Sequence, residues 1–281
     1  MSTKVKRIIR SSLITFFVYL FMWSGYNVFI YAMDYIQLNK SYEEAQSLVQ
    51  IDTNPQEDSY LVEDMSTEPT EDFVIEDIAT EETEPVDEFK DLKISIGVDW
   101  ESLRAQSQDV VGWLYIPDSN MNYPLMHRDN LYYLDHDYQG KYNVGGSLFL
   151  DARLDIDVQN VIVYGHHMKS DTMFHRLTYY AKQDYADEHK YIYVATPEET
   201  RLYQVFSVEY TQGGSSTYTW EFGEDGDMML EDYANRAILN SVVETETRKI
   251  VEEDRILSLS TCSGRSSTER LVVHAVLLTS Y

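Results

Sequence analysis

Seven short runs rich in β-branched and aromatic residues, separated by turn-forming clusters, fill the C-terminal part of this chain: 111–116, 146–151, 160–166, 190–196, 201–211, 255–261 and 270–278. Side chains alternate across a strand, so runs of this length and spacing bury one face each and favour an all-β barrel or sandwich. Two stretches interrupt the pattern with helical spacing, roughly 172–187 and roughly 227–247. In the second, Met229, Tyr233, Ala237 and Ile238 recur at helical intervals. A short helix is expected before the first run, where Trp100 and Leu103 share a face. The expected fold is mostly β: a barrel with an N-terminal helix and a long helical insert before the penultimate strand. It occupies residues 92–281, enough chain for one substantial core.

Upstream the chain changes character twice. Lys4, Lys6, Arg7 and Arg10 mark a basic N-terminus, 1–10, ahead of "SSLITFFVYLFMWSGYNVFIYAM", 11–33, which holds no charged residue. A bilayer span needs about 20 mostly apolar residues, and Trp23, Tyr31 and Tyr35 suit its interfaces. The basic cluster predicts a cytoplasmic N-terminus and an extracellular remainder. A cleaved signal peptide is the rival, but the run is long for one and no small-residue cleavage pattern follows it. Residues 34–91 read as a stalk, helical over 34–50 and acidic beyond. From Asp52 to Asp91, sixteen acidic residues face one basic residue, Lys90, so this segment carries much of the formal net charge of −26. With three prolines and no sustained apolar period it is expected to be a disordered, self-repelling spacer. Such acidity argues against a nucleic-acid partner.

Cys262 is the only cysteine, which excludes an intrachain disulfide, a CxxC redox pair and a cysteine-rich zinc site. A lone cysteine is often a small buried hydrophobe. This one, however, follows the alternating "ILSLST" at a strand end, where "SGRSST" opens a loop. A thiol there is reachable, and Arg265 and Arg270 nearby would favour a thiolate or an oxyanion. Arg270 opens the last strand, so pairing of the two strands would put it at the same end as Cys262. A thiol of pKa ~8.5 is mostly protonated at neutral pH and benefits from a partner that exchanges protons. Among seven histidines, His166 and His167 end the run "NVIVYGHHM". His127, His136 and His189 fall in polar, solvated surroundings, and His274 lies inside a strand as a structural residue. Zinc on His166, His167 and His175 is disfavoured, because adjacent histidines on an extended segment point to opposite faces and no cysteine completes the set. No metal and no cofactor are expected.

A Gly-His pair at a strand end, "SLSTC" at 258–262 and an arginine opening a valine-rich last strand together closely resemble the sortases, membrane-anchored cysteine transpeptidases of Gram-positive bacteria. "DVVGWLYIPDSNMNYPL", "YGHHMKSDTMFHRL" and the helical insert resemble the class B subgroup. Ser258 stands where the family usually has threonine. The resemblance covers 92–281 and implies a sortase-type β-barrel. It implies Cys262 as nucleophile, His166 as general acid/base, and Arg270 as the arginine that holds substrate and stabilises the oxyanion, with Arg265 a weaker rival. It implies Ser260 and Tyr218 as lining of the substrate groove. Some class B members carry an acidic residue two places after the cysteine; here that residue is Gly264.

The implied reaction cleaves a C-terminal sorting motif of a secreted protein after threonine, through a thioacyl-enzyme, and joins it to an amine. That amine belongs to a cell-wall precursor or to a pilin lysine, so wall anchoring and pilus polymerisation both remain open. The implied location is the cell membrane, single-pass, with the catalytic domain outside. An unrelated membrane-tethered cysteine protease fits less well: a papain-like enzyme puts cysteine before histidine, and the caspase context "QAC" is absent. A barrel kept as a binding module without turnover is disfavoured by the intact set of Cys262, His166 and Arg270.

Overall fold

The charge-free run continues without a break into the segment beyond it, and the two form one helix, α1 (Thr3–Gln46). The computed structural model describes residues 3–53, 88–224 and 226–281, so the acidic segment expected to be a spacer lies largely outside the described residues. By length and composition α1 can cross a membrane. Its far end does something the sequence reading did not assign to it. Leu38, Tyr42 and Ala45, spaced so as to share one helix face, are buried in the main core with Tyr123, Tyr133 and Tyr138. The Tyr42 ring meets Tyr123 edge-on at 5.1 Å, and its hydroxyl donates to the Gly146 carbonyl.

After α1, strand β1 (Val49–Asp52) pairs antiparallel with β2 (Ser95–Val98), Val49 opposite Val98. The helix expected to reach residue 50 therefore stops at Gln46, and the packed body begins upstream of residue 92. Helix α2 (Trp100–Gln106) follows, capped by the Asp99 carboxylate, which accepts from the Ser102 amide at 3.0 Å.

The remaining strands are β3 (Val110–Tyr115), β4 (Asn122–Met126), β5 (Leu148–Leu150), β6 (Asn160–Tyr164), β7 (Tyr191–Ala195), β8 (Thr200–Gln212), β9 (Ile256–Cys262) and β10 (Glu269–Ser280). They close a barrel in the order β10-β8-β7-β3-β4-β5-β6-β9, with β4–β5 and β6–β9 parallel and the other pairs antiparallel. Strand β4 has no counterpart among the runs expected from the sequence, and it holds Pro124, which has no amide to donate to a ladder. The structure tolerates it because the β4–β5 ladder involves only Leu125 and Met126.

Both helical stretches are shorter than expected. The first divides into a 3-10 turn, Arg176–Ala181, and α3 (Gln183–Glu188), separated by Lys182 in extended conformation. The second is α4 (Leu230–Asn240), whose buried stripe is Leu230, Tyr233, Ala234 and Ala237, while Met229 and Ile238 are exposed. It stops because β8 captures the chain beyond it. The Val242 amide donates to the Val208 carbonyl at 2.8 Å, and Ser241 Oγ accepts from the Val208 amide at 3.1 Å. The stripe packs with Phe206, Ile256 and Val276 in a satellite cluster.

Candidate active site

Parallel pairing of β6 with β9 brings the C-terminal ends of both strands together, and antiparallel pairing of β9 with β10 adds the start of β10. Tyr164 lies opposite Ser260, and Cys262 lies opposite Arg270. Past β6, the Gly165 amide donates to the Ser260 carbonyl at 3.2 Å, and the Thr261 hydroxyl donates to the Gly165 carbonyl at 2.8 Å. A β-carbon at Gly165 would lie 2.4 Å from Leu148 and 2.6 Å from Phe174, so only glycine fits where the chain turns out toward His166.

These strand ends surround a cavity of about 340 Å³ lined by Cys262, His166, Arg270, Ser260, Tyr164 and Leu134, among others. Cys262 is partly buried and is a free thiol. His166 Nε2 lies 2.7 Å from the Leu134 carbonyl. A carbonyl only accepts, so Nε2 carries a proton and Nδ1 bears the lone pair of the neutral ring. Arg270 Nη1 donates to the carbonyls of Ser267 and Glu269 at 3.1 and 3.2 Å. Among the described residues it has no carboxylate partner. Arg265 is placed differently: its guanidinium stacks over Tyr210 at 4.3 Å and lies 3.9 Å from Glu269.

Ser260 and Tyr218 meet, hydroxyl to hydroxyl, at 2.9 Å. Burial pushes the Tyr218 phenol up, and the Ser260 hydrogen bond and the Arg270 charge only partly offset this. Tyr164 was missed in the sequence. Its ring lies 6.1 Å from that of Tyr218, and its hydroxyl donates to Asp151 at 3.0 Å. Burial alone would raise the Asp151 carboxyl. The hydrogen bonds from Arg153 and Tyr164 outweigh it and hold its pKa down, to about 2. A depressed carboxylate stabilises the fold fully above its unfolded pKa of about 3.9, and this stability is lost as pH falls through the folded value. Asp151→Asn is therefore expected to flatten stability between about pH 4 and 2, read from melting temperatures across that range.

His167 is not among the residues that line the cavity. Its ring lies 4.8 Å from that of His175, and burial followed by the His175 charge lowers its pKa. Gly264 has φ +76°, and a β-carbon there would lie 2.9 Å from the His167 ring, so this loop excludes a side chain at that position. The described residues contain no group of three or more metal-binding side chains.

Beneath the site, four strands share a buried polar chain. His274, fully buried, lies 2.8 Å from Ser258 Oγ and 3.3 Å from Glu209 Oε1. Ser258 donates to Asn160, whose amide donates to the Thr219 carbonyl, and Thr217 donates to Glu209. The turn carrying Tyr218 is thus held from below. Truncating Glu209 leaves Thr217 and His274 without their acceptor, so Glu209→Ala is expected to cost about 2–3 kcal/mol, measured by thermal unfolding of the full chain in detergent. Of the histidines read as solvated, His189 is instead buried and stacked on Tyr185 at 3.8 Å.

The closed eight-stranded barrel is the arrangement that known proteins share with this chain. The Sortase domain family model matches residues 114–278. Sortase B of Staphylococcus aureus is 32% identical over 186 residues, which cover 64% of this chain and 74% of that protein. Sortase B of Listeria monocytogenes is 34% identical over 182 residues, covering 63% and 73%. The crystal structure of sortase B from Bacillus anthracis in complex with AAEK1 superposes with a TM-score of 0.63 at 28% identity, covering 88% of this chain and 99% of that one. The chain belongs to the sortase family. Within it the relatives are class B enzymes, and this protein is a class B sortase, a cysteine transpeptidase.

Proposed function

We propose that Cys262, His166 and Arg270 carry out acyl transfer from a C-terminal sorting motif to an amine of the cell wall. The observation that carries this reading is the register of Cys262 opposite Arg270, with His166 on the same cavity wall. Cys262 passes its thiol proton to Nδ1 of His166, and the resulting thiolate attacks the carbonyl carbon of a threonine in the motif. The S–C bond forms, and the carbonyl oxygen takes the negative charge beside the Arg270 guanidinium. Collapse of this intermediate breaks the C–N bond, and His166 delivers the proton that the leaving amine requires. In the second half an acceptor amine gives a proton to His166 and attacks the thioacyl carbon. The new amide forms and the Cys262 thiolate is regenerated. With Nε2 tied to the Leu134 carbonyl, Nδ1 is the nitrogen that exchanges protons.

Ser260 and Tyr218 act as a joined wall of the groove that receives the motif. Helix α1 anchors the protein in the cell membrane through residues 11–33, with the basic 1–10 segment inside and the catalytic body outside. The substrates are secreted proteins bearing the motif, and the acceptor is a cell-wall precursor.

Arg270→Ala removes the charge beside the developing oxyanion and is expected to lower kcat/KM by about 10²–10³-fold. Arg270→Lys keeps a charge without the planar fork and should recover only part of the loss. The reading as a whole is tested by incubating the full chain in detergent with a panel of sorting-motif peptides and an amine acceptor. A product joining the acceptor to a fragment that ends in threonine is expected. Cleavage at another residue, or release of the fragment to water alone at saturating acceptor, would contradict it.

A further inference from the structure

The loop between β4 and β5 is clamped to α1 just beyond the apolar run. Gln37 Nε2 lies 3.4 Å from the Tyr142 carbonyl, and Leu38 occupies the space where a β-carbon at Gly145 would fall, 2.6 Å away. Gln37 lies four positions beyond Met33, the last of the charge-free run. At a rise of 1.5 Å per residue this is about 6 Å along the helix. The head-group zone on each side of the hydrocarbon core is about 5–7 Å deep. Tyr142 therefore stands at head-group depth.

The surface of this loop has the composition of an interfacial belt. Tyr142 is 63% exposed and Leu131 74% exposed, although both are large and apolar. Aromatic contacts run from Tyr142 to Tyr132, which follows Leu131 in the chain. Tyr142 meets the His136 ring edge-on, His136 stacks on Tyr132 at 4.2 Å, and the Arg128 guanidinium covers Tyr132 at 4.1 Å. Amphipathic rings with a cation beside them are the side chains that settle between water and acyl chains. The exposed formal charges on the loop cancel, with Arg128 and Lys141 against Asp129 and Asp135, so the surface suits a zwitterionic bilayer and does not require anionic lipid.

We infer that the segment 128–144 rests on the outer face of the membrane into which α1 inserts, as a second lipid contact of the catalytic body. This rests on the anchoring role proposed for α1. The same loop supplies Asn130 and Leu134 to the wall of the Cys262 cavity, and the Leu134 carbonyl orients His166. The edge of the cavity is thereby held close to the head groups, where a membrane-tethered reactant would meet it.

The test uses the full chain carrying Cys262→Ser, with one new thiol-labelling site in each variant: Tyr142→Cys, Leu131→Cys, or Leu239→Cys as a control. Leu239 is 85% exposed on α4, which packs against β8, on a different side of the barrel from the β4 strand that α1 touches. Each variant is labelled with an environment-sensitive fluorophore and reconstituted into phosphatidylcholine vesicles containing a head-group nitroxide lipid, and flotation is recorded. The expected result is co-flotation of all three, with blue-shifted and strongly quenched emission at 142 and 131 but not at 239. Co-flotation without quenching at either loop position overturns the inference and leaves the anchor standing. Failure to float with the vesicles overturns the anchor and the inference together.

Discussion

Cys262→Ala is expected to reduce acyl transfer by at least about 10⁴-fold, with the fold intact. The chain has no other thiol to take over, and neither His166 nor Arg270 offers a covalent route. Cys262 is only partly buried at a strand end, so removing its sulfur opens little internal space. Near-ultraviolet circular dichroism and the melting temperature should stay close to those of the parent while turnover disappears. Cys262→Ser should be almost as inactive, because a hydroxyl with no stronger base beside it is a far weaker nucleophile than a thiolate.

Replacing His166 carries the second large effect. General acid–base catalysis by a positioned side chain contributes about 10²–10⁴-fold, and His166→Ala is expected to lose that much in kcat with little change in KM. His166→Gln separates position from proton transfer. The glutamine amide can still donate to the Leu134 carbonyl, yet it exchanges no proton near neutral pH. A loss in His166→Gln as large as in His166→Ala assigns the role to proton transfer, whereas near-full activity would assign it to packing.

Much of this site could be read from the sequence because strand periodicity is a local signal. The alternation in "ILSLST" fixed where β9 ends, and the valine-rich run after Arg270 fixed where β10 begins. Their observed pairing puts Cys262 opposite Arg270, as neighbouring strands would. Tyr218 and Ser260 are far apart in sequence, and only the buried chain through Asn160, Ser258 and Glu209 explains how their hydroxyls come together. The Leu134 carbonyl that orients His166 had no signal at all, because a backbone acceptor leaves no mark in residue type. The end of α4 differs from the expectation for a related reason: residues 241–247 hold no glycine or proline to mark a stop, and the hydrogen-bonding groups of β8 capture their backbone. The docking of α1 was hidden by its continuity. No glycine or proline separates the apolar run from Leu38, Tyr42 and Ala45, so a stretch long and apolar enough to cross a membrane and a core-packing stretch share one unbroken helix.

The first measurement to make is the intact mass of the full chain quenched in acid during turnover of a cleaved sorting-motif peptide, followed by mapping of any adduct. The expected result is an added mass equal to the peptide fragment ending in threonine, carried on Cys262 and discharged by the acceptor amine. Product formed without any adduct on Cys262, or an adduct that persists in Cys262→Ala, would contradict the assignment of Cys262 as the nucleophile.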